Sequence, residues 1–112
     1  MKDTDREKIE AIIEDRKEAN GFYSRNSSVY RSFIRMEEAA FVDGALSKGH
    51  KELIAIGISI IINCESCLEW HIKQALEAGI TKEQIIEAIG VGIEMGGGPA
   101  TVSARFAMKV LS

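Results

Sequence analysis

Apolar residues recur every three or four positions along most of the chain, which is the spacing of one face of an α-helix. A first helix is predicted from about Thr4 to Ala19, with Ile9, Ile12 and Ile13 on one side and Asn20-Gly21 as its stop. Its other faces are charged, which places it on the outside. A second is predicted from about Ser28 to Asp43, carrying Tyr30, Phe33, Ile34 and Phe41, with Ser27 or Ser28 as cap. After a break at Gly44 to Gly49, a third covers about His50 to Asn63 and a fourth about Glu65 to Ala78. Thr81 and Gln84 form a capping box for a fifth, whose apolar stripe is Ile85, Ile86, Ile89 and Ile93. Pro99 suits the start of a short sixth helix, Ala100 to Leu111. No strand pattern, internal repeat or low-complexity segment stands out.

The pattern therefore predicts an all-α bundle of about six helices. A length of 112 residues suits a single domain over 1–112, with 1–45 as N-terminal helices and 46–111 as the core. The run LIAIGISIII, Leu53 to Ile62, reads as a fully buried core helix. At about 15 Å of helix it is too short for a bilayer, where roughly 20 residues are needed. Gly96-Gly97-Gly98 follows a helix and lacks the Lys-Ser/Thr ending of a phosphate loop.

Charge narrows the partners. The net charge is −3 and the isoelectric point about 5.4, which disfavours nucleic acid. MKDTDREKIE is charged and has no apolar run, so neither a secretory signal nor a membrane association is expected, and a cytoplasmic address follows. Thiols in that compartment stay reduced unless they are working.

Candidate chemistry concentrates in NCESCLEWHI, Asn63 to Ile72, which holds both cysteines of the chain and one of its two histidines. Cys64 opens a helix, where free N–H groups and the dipole favour thiolate. A thiol of pKa 8.5 is about 3% ionised at pH 7, and one of about 6.5 roughly three-quarters ionised. Residues i and i+3 in a first turn are close enough for their sulfurs to bond. Cys67 and His71 are i and i+4, so His71 can take the Cys67 proton directly or through a water. The helices on either side of Asn63 must form an antiparallel hairpin, which brings Glu52 near the level of His71 to Ala75. The proposed line is Glu52, His71, Cys67. His50 lies on a different helix face and reads as surface. Glu65 and Glu69 read as solvated, and an acid so near would oppose thiolate formation. Trp70 reads as packing or as a pocket wall. Half a zinc site and two inert buried thiols remain open alternatives, although one protomer offers three metal ligands at most.

The stretch ELIAIGISIIINCESCLEWHIKQALEAGITKEQIIEAIGVGIEMGGGPA resembles the carboxymuconolactone decarboxylase superfamily, specifically its AhpD-like alkylhydroperoxidase branch. The branch pattern E-x11-C-x2-C-x3-H falls on Glu52, Cys64, Cys67 and His71, and the likeness covers roughly Leu46 to Leu111. The resemblance implies an all-helical fold assembling as a trimer or hexamer. It implies a catalytic set of Cys67, Cys64, His71 and Glu52, with Cys67 reacting with a small peroxide or disulfide and Cys64 closing the disulfide. No bound cofactor or metal is implied. An external dithiol reductant, lipoyl-type or thioredoxin-type, would reopen the bridge. One departure is Ser66, where the family prototype has a histidine. It bears on peroxide reduction more than on disulfide exchange. The rival readings are a lactone decarboxylase, whose branch generally lacks the cysteine pair, and a non-enzymatic redox sensor.

Overall fold

The computed structural model describes residues 1–112 and contains six α-helices and no strands. They are α1 (Asp3–Asn26), α2 (Ser28–Ala40), α3 (Lys48–Ile62), α4 (Glu65–Glu77), α5 (Lys82–Gly96) and α6 (Gly98–Leu111). The all-α expectation holds, and several boundaries move.

The first shift is in α1, which runs through Asn20-Gly21 to Asn26. A helical glycine costs about 1 kcal/mol relative to alanine, and contacts beyond it offset that cost. Tyr23 stacks on Tyr30 of α2 with centroids 5.3 Å apart, and the Tyr30 hydroxyl donates to Asn20 Oδ1. The chain stops instead at Ser27, whose extended backbone ends α1 while its Oγ accepts from Tyr30 N at 3.1 Å and caps α2. Helix α2 ends at Ala40, three residues earlier than its apolar pattern suggests.

The core comes from α3 to α6. Ile56, Ile60, Leu68, Ile72, Ala75, Ile85, Ile89, Ala100, Phe106 and Ala107 form one buried cluster. Each fully buried Ile or Leu contributes about 1.5–3 kcal/mol relative to exposure. Helices α1 and α2 bury no residue, and α1 lies outside with Ile9 and Ile12 packed on the core edge.

The reading of Leu53 to Ile62 as fully buried is corrected. Ile56, Ser59 and Ile60 face the core, while Ile54, Ile58, Ile61 and Ile62 are about half exposed or more. Only one side of α3 meets α4 and α5. On the other flank, Leu53, Ile54, Ile58, Ile61, Val91 and Met95 line an open apolar groove between α3 and α5. Gly92 sets the closeness of that pair, since a Cβ there would lie 2.9 Å from the Gly57 carbonyl oxygen.

Asn63 and Cys64 alone join α3 to α4. Asn63 ends α3 in the left-handed region at φ 53°, a conformation asparagine tolerates better than most residues. Its Oδ1 accepts from Ser103 Oγ of α6 at 2.9 Å, which ties the junction to the core. The resulting hairpin is tight, and it fixes the register between Glu52 and His71.

Candidate active site

Cys64 is the N-cap of α4. Its Sγ accepts from the Cys67 backbone N–H at 3.2 Å, occupying the place that a serine or aspartate oxygen fills at other helix starts. Cys67 stands one turn in, with a Cα–Cα separation of 5.2 Å, and the two sulfurs are joined in a disulfide. The closed loop is short enough that its stabilising effect is small.

His71 follows one turn later, with its side chain 12% exposed. Its Nδ1 is 2.7 Å from Oε1 of Glu52, which lies on α3 and is 1% exposed. A carboxylate only accepts, so Nδ1 carries the hydrogen, and in the neutral imidazole the lone pair is then on Nε2. Phe41, just after α2, stacks on the imidazole with centroids 5.2 Å apart. The ring is thus held at one edge by a charge-assisted hydrogen bond and on one face by an aromatic.

Lys48 answers the buried charge of Glu52. Its Nζ donates to Glu52 Oε2 at 2.8 Å and to Gln74 Oε1 at 3.1 Å. Sequence reasoning missed Lys48, although its spacing of four residues from Glu52 on one helix is a usable signal. It also missed Phe41 as a neighbour of His71, since helical periodicity explains an aromatic without reference to another element.

Cys67 and His71 face one cleft of about 230 Å³, walled by Arg16 and Asn20 of α1, Tyr30, Phe33, Ile34 and Glu37 of α2, and Trp70 of α4. The apolar stripe of α2 is therefore spent on this cleft and not on the core. A second cleft of about 460 Å³ shares Trp70 and Glu37 and reaches Lys48, Glu52 and Gln74. Trp70 is thus a wall of both. His50 is exposed and takes no part.

Of the two acids beside the cysteines, Glu69 is not solvated as its sequence context suggests, while Glu65 keeps a solvent-open side chain. Glu69 is 3% exposed and bonded to Arg16, and Glu65 pairs with Lys8 at 2.8 Å. Both partners come from α1, at sequence separations that no local pattern reveals. No group of three His, Cys, Asp or Glu side chains is placed to hold a metal ion. No helix is long and apolar enough to cross a membrane.

The arrangement can support thiol chemistry: a base with a free lone pair and a pair of sulfurs close enough to bond. Comparison with known proteins agrees with the fold. The carboxymuconolactone decarboxylase family model matches residues 27–109, and this chain belongs to that family. The match begins at the α1–α2 junction, well before the segment that carries the motif. A Paracoccus denitrificans protein named uncharacterized protein 4 in cox locus is 41% identical, over 76% of this chain and 77% of its own length. The alkyl hydroperoxide reductase AhpD of Anaeromyxobacter dehalogenans is 27% identical over 87% of this chain, which spans 63% of that protein. Among solved structures, a carboxymuconolactone decarboxylase family protein from Legionella pneumophila superposes with a TM-score of 0.85 at 30% identity, covering 93% of this chain and 94% of its own.

Proposed function

We propose that the protein is a thiol-disulfide oxidoreductase of the AhpD-like kind, acting on a small hydroperoxide or disulfide. The observation that carries this reading is the buried Glu52 carboxylate holding His71 in the cleft that also exposes Cys67. The pairing leaves Nε2 as the acceptor for the Cys67 proton.

In the cycle, His71 takes the Cys67 proton and the thiolate attacks the outer oxygen of R–O–OH. The O–O bond breaks, Cys67 becomes a sulfenic acid, and the alkoxide leaves with the proton from His71 as ROH. Cys64 then attacks the Cys67 sulfur, the S–O bond breaks, and hydroxide leaves with the Cys64 proton as water. With a disulfide substrate the first step gives a mixed disulfide, which Cys64 resolves. Both routes end in the Cys64–Cys67 bridge, the form in which the two sulfurs stand here. An external dithiol returns two electrons and two protons and leaves as its own disulfide. Ser66 next to Cys67 offers no second imidazole, which favours disulfide exchange over fast peroxide reduction. The setting we infer is a cytoplasmic homo-oligomer, a trimer or hexamer, served by a lipoyl-type or thioredoxin-type dithiol.

The test is a thiol count before and after mild peroxide, then turnover with a panel of dithiols. Loss of two thiols per chain without a new intermolecular bond, with dithiol-dependent turnover, is the expected result. Cys67→Ser should abolish turnover, and Cys64→Ser should stall the protein as a sulfenic acid or mixed disulfide. Full dithiol-dependent activity in Cys67→Ser would remove the assignment. A bridge that forms without any turnover would make the protein a redox sensor.

A further inference from the structure

Helix α1 adds no buried residue to the core, yet two of its cations end on the helix that carries the cysteines. The pairs are unequal. Lys8–Glu65 is open to solvent, with side chains 55% and 37% exposed, and such pairs are weak. Arg16–Glu69 is 18% and 4% exposed, with Nη1 2.7 Å from Oε1. The same guanidinium donates from Nη2 to the Ser66 carbonyl oxygen at 2.9 Å and to Ser66 Oγ at 3.2 Å. Its carbon sits 5.3 Å from the centre of the Trp70 ring. One planar fork therefore grips the residue before Cys67 and the acid two residues after it, and lines the cleft into which Cys67 opens.

Without Arg16, Glu69 would be a buried carboxylate with no counter-charge in the turn next to Cys67. That charge would oppose ionisation of the thiol. The geometry points to Arg16 as a positioning residue that keeps Cys67 acidic, by cancelling Glu69 and by fixing the Ser66 peptide. The inference deepens the thiol reading given above and rests on it. The other charged or titratable groups around Cys67 are His71, Glu37 and Tyr30 in the cleft, the Glu52–Lys48 pair behind His71, and Lys8, Glu65 and Arg105 beside the start of α4. Arg16 is the cation that lines the cleft itself, and Glu37 forms no ion pair there. The balance at Cys67 is therefore sensitive to Arg16.

The test is the rate of iodoacetamide alkylation of each cysteine against pH, read by mass spectrometry on the reduced full-length protein. Wild type is compared with Arg16→Gln, Glu69→Gln and the double variant, with circular dichroism as a check of folding. Arg16→Gln should raise the apparent pKa of Cys67 by on the order of one unit. Glu69→Gln should lower it, and the double variant should return near wild type. A purely structural role would move both single variants the same way, and that outcome, or no movement, overturns the inference. Should Arg16→Gln fail to fold, Glu69→Gln decides alone: a lower Cys67 pKa supports the inference, and an unchanged or higher one defeats it. Alkylation needs no turnover. The expected pattern in a protein that turns over neither peroxide nor disulfide would sink the catalytic reading and leave this one standing, and turnover with an unmoved Cys67 profile would do the reverse.

Discussion

A buried carboxylate persists only when its charge is answered, and Glu52 has two answers, Lys48 on one oxygen and His71 on the other. The consequence is directional. The contact with Glu52 fixes the tautomer of His71, so the lone pair of the imidazole is committed to Nε2. His71→Gln removes the base and is expected to lower dithiol-dependent turnover by about 10²- to 10⁴-fold. Glu52→Gln keeps the shape but can present an amide N–H to Nδ1, which favours the opposite tautomer. About a tenfold loss or more in kcat is expected, with the rate of alkylation at high pH unchanged because the thiolate is then already formed. Steady-state kinetics beside alkylation kinetics separates the two effects, and a Glu52→Gln variant with wild-type kcat would remove the relay.

At the scale of elements, two contacts decide how helices sit. The first is the crossing of α3 and α5 at Gly92, where an added methyl would press on the Gly57 carbonyl oxygen and on Ile60. Gly92→Ala is expected to destabilise by about 1–2 kcal/mol after the helix-propensity gain, lowering Tm by roughly 3–10 °C. An unchanged Tm would mean that the helices can part freely. The second contact holds α1 to α6, where Lys109 Nζ lies 2.8 Å from Asp5 Oδ1. The Lys109 hydrogen bond holds the Asp5 carboxyl below its ordinary value of 3.8. A lowered acid stabilises the folded form once pH is above the ordinary value, and the contribution is lost as pH falls through the lower native value. Asp5→Asn should therefore weaken α1 docking near neutral pH, and its difference from wild type should vanish in strong acid. Hydrogen exchange of the α1 amides reads both.

For the whole molecule, the feature that calls for a neighbour is the apolar flank of α3 and α5. Ile54, Ile58, Ile61, Val91 and Met95 are each about half exposed or more, and they line one groove. An association interface needs apolar surface of this kind, and the homo-oligomer proposed above would supply the occupant, a second copy of the chain. Ile58→Glu is expected to shift the sedimenting species toward monomer while helicity is retained. A wild-type chain that sediments as a monomer at every concentration would leave the groove unexplained. Association would also complete the burial that LIAIGISIII leads one to expect, since a run apolar on every side needs a neighbour on every side.

Local spacing alone determined much of this protein. Six helices, the capping box at Thr81 and Gln84, and the clustering of Cys64, Cys67 and His71 at the start of one helix follow from distances of three and four residues. The approach of Glu52 to His71 was legible because only Asn63 and Cys64 separate the two helices, so a register can be counted across the hairpin. Other features depend on contacts between segments far apart in sequence. Arg16 meets Glu69 across 53 residues, and that contact turns a supposedly solvated acid into a buried, neutralised one. The true end of α1 at Ser27, the turning of the α2 stripe toward the cleft, and the half-exposed flank of α3 were likewise decided by packing. Helical periodicity says that a face is apolar; which surface that face meets is settled only when the helices come together.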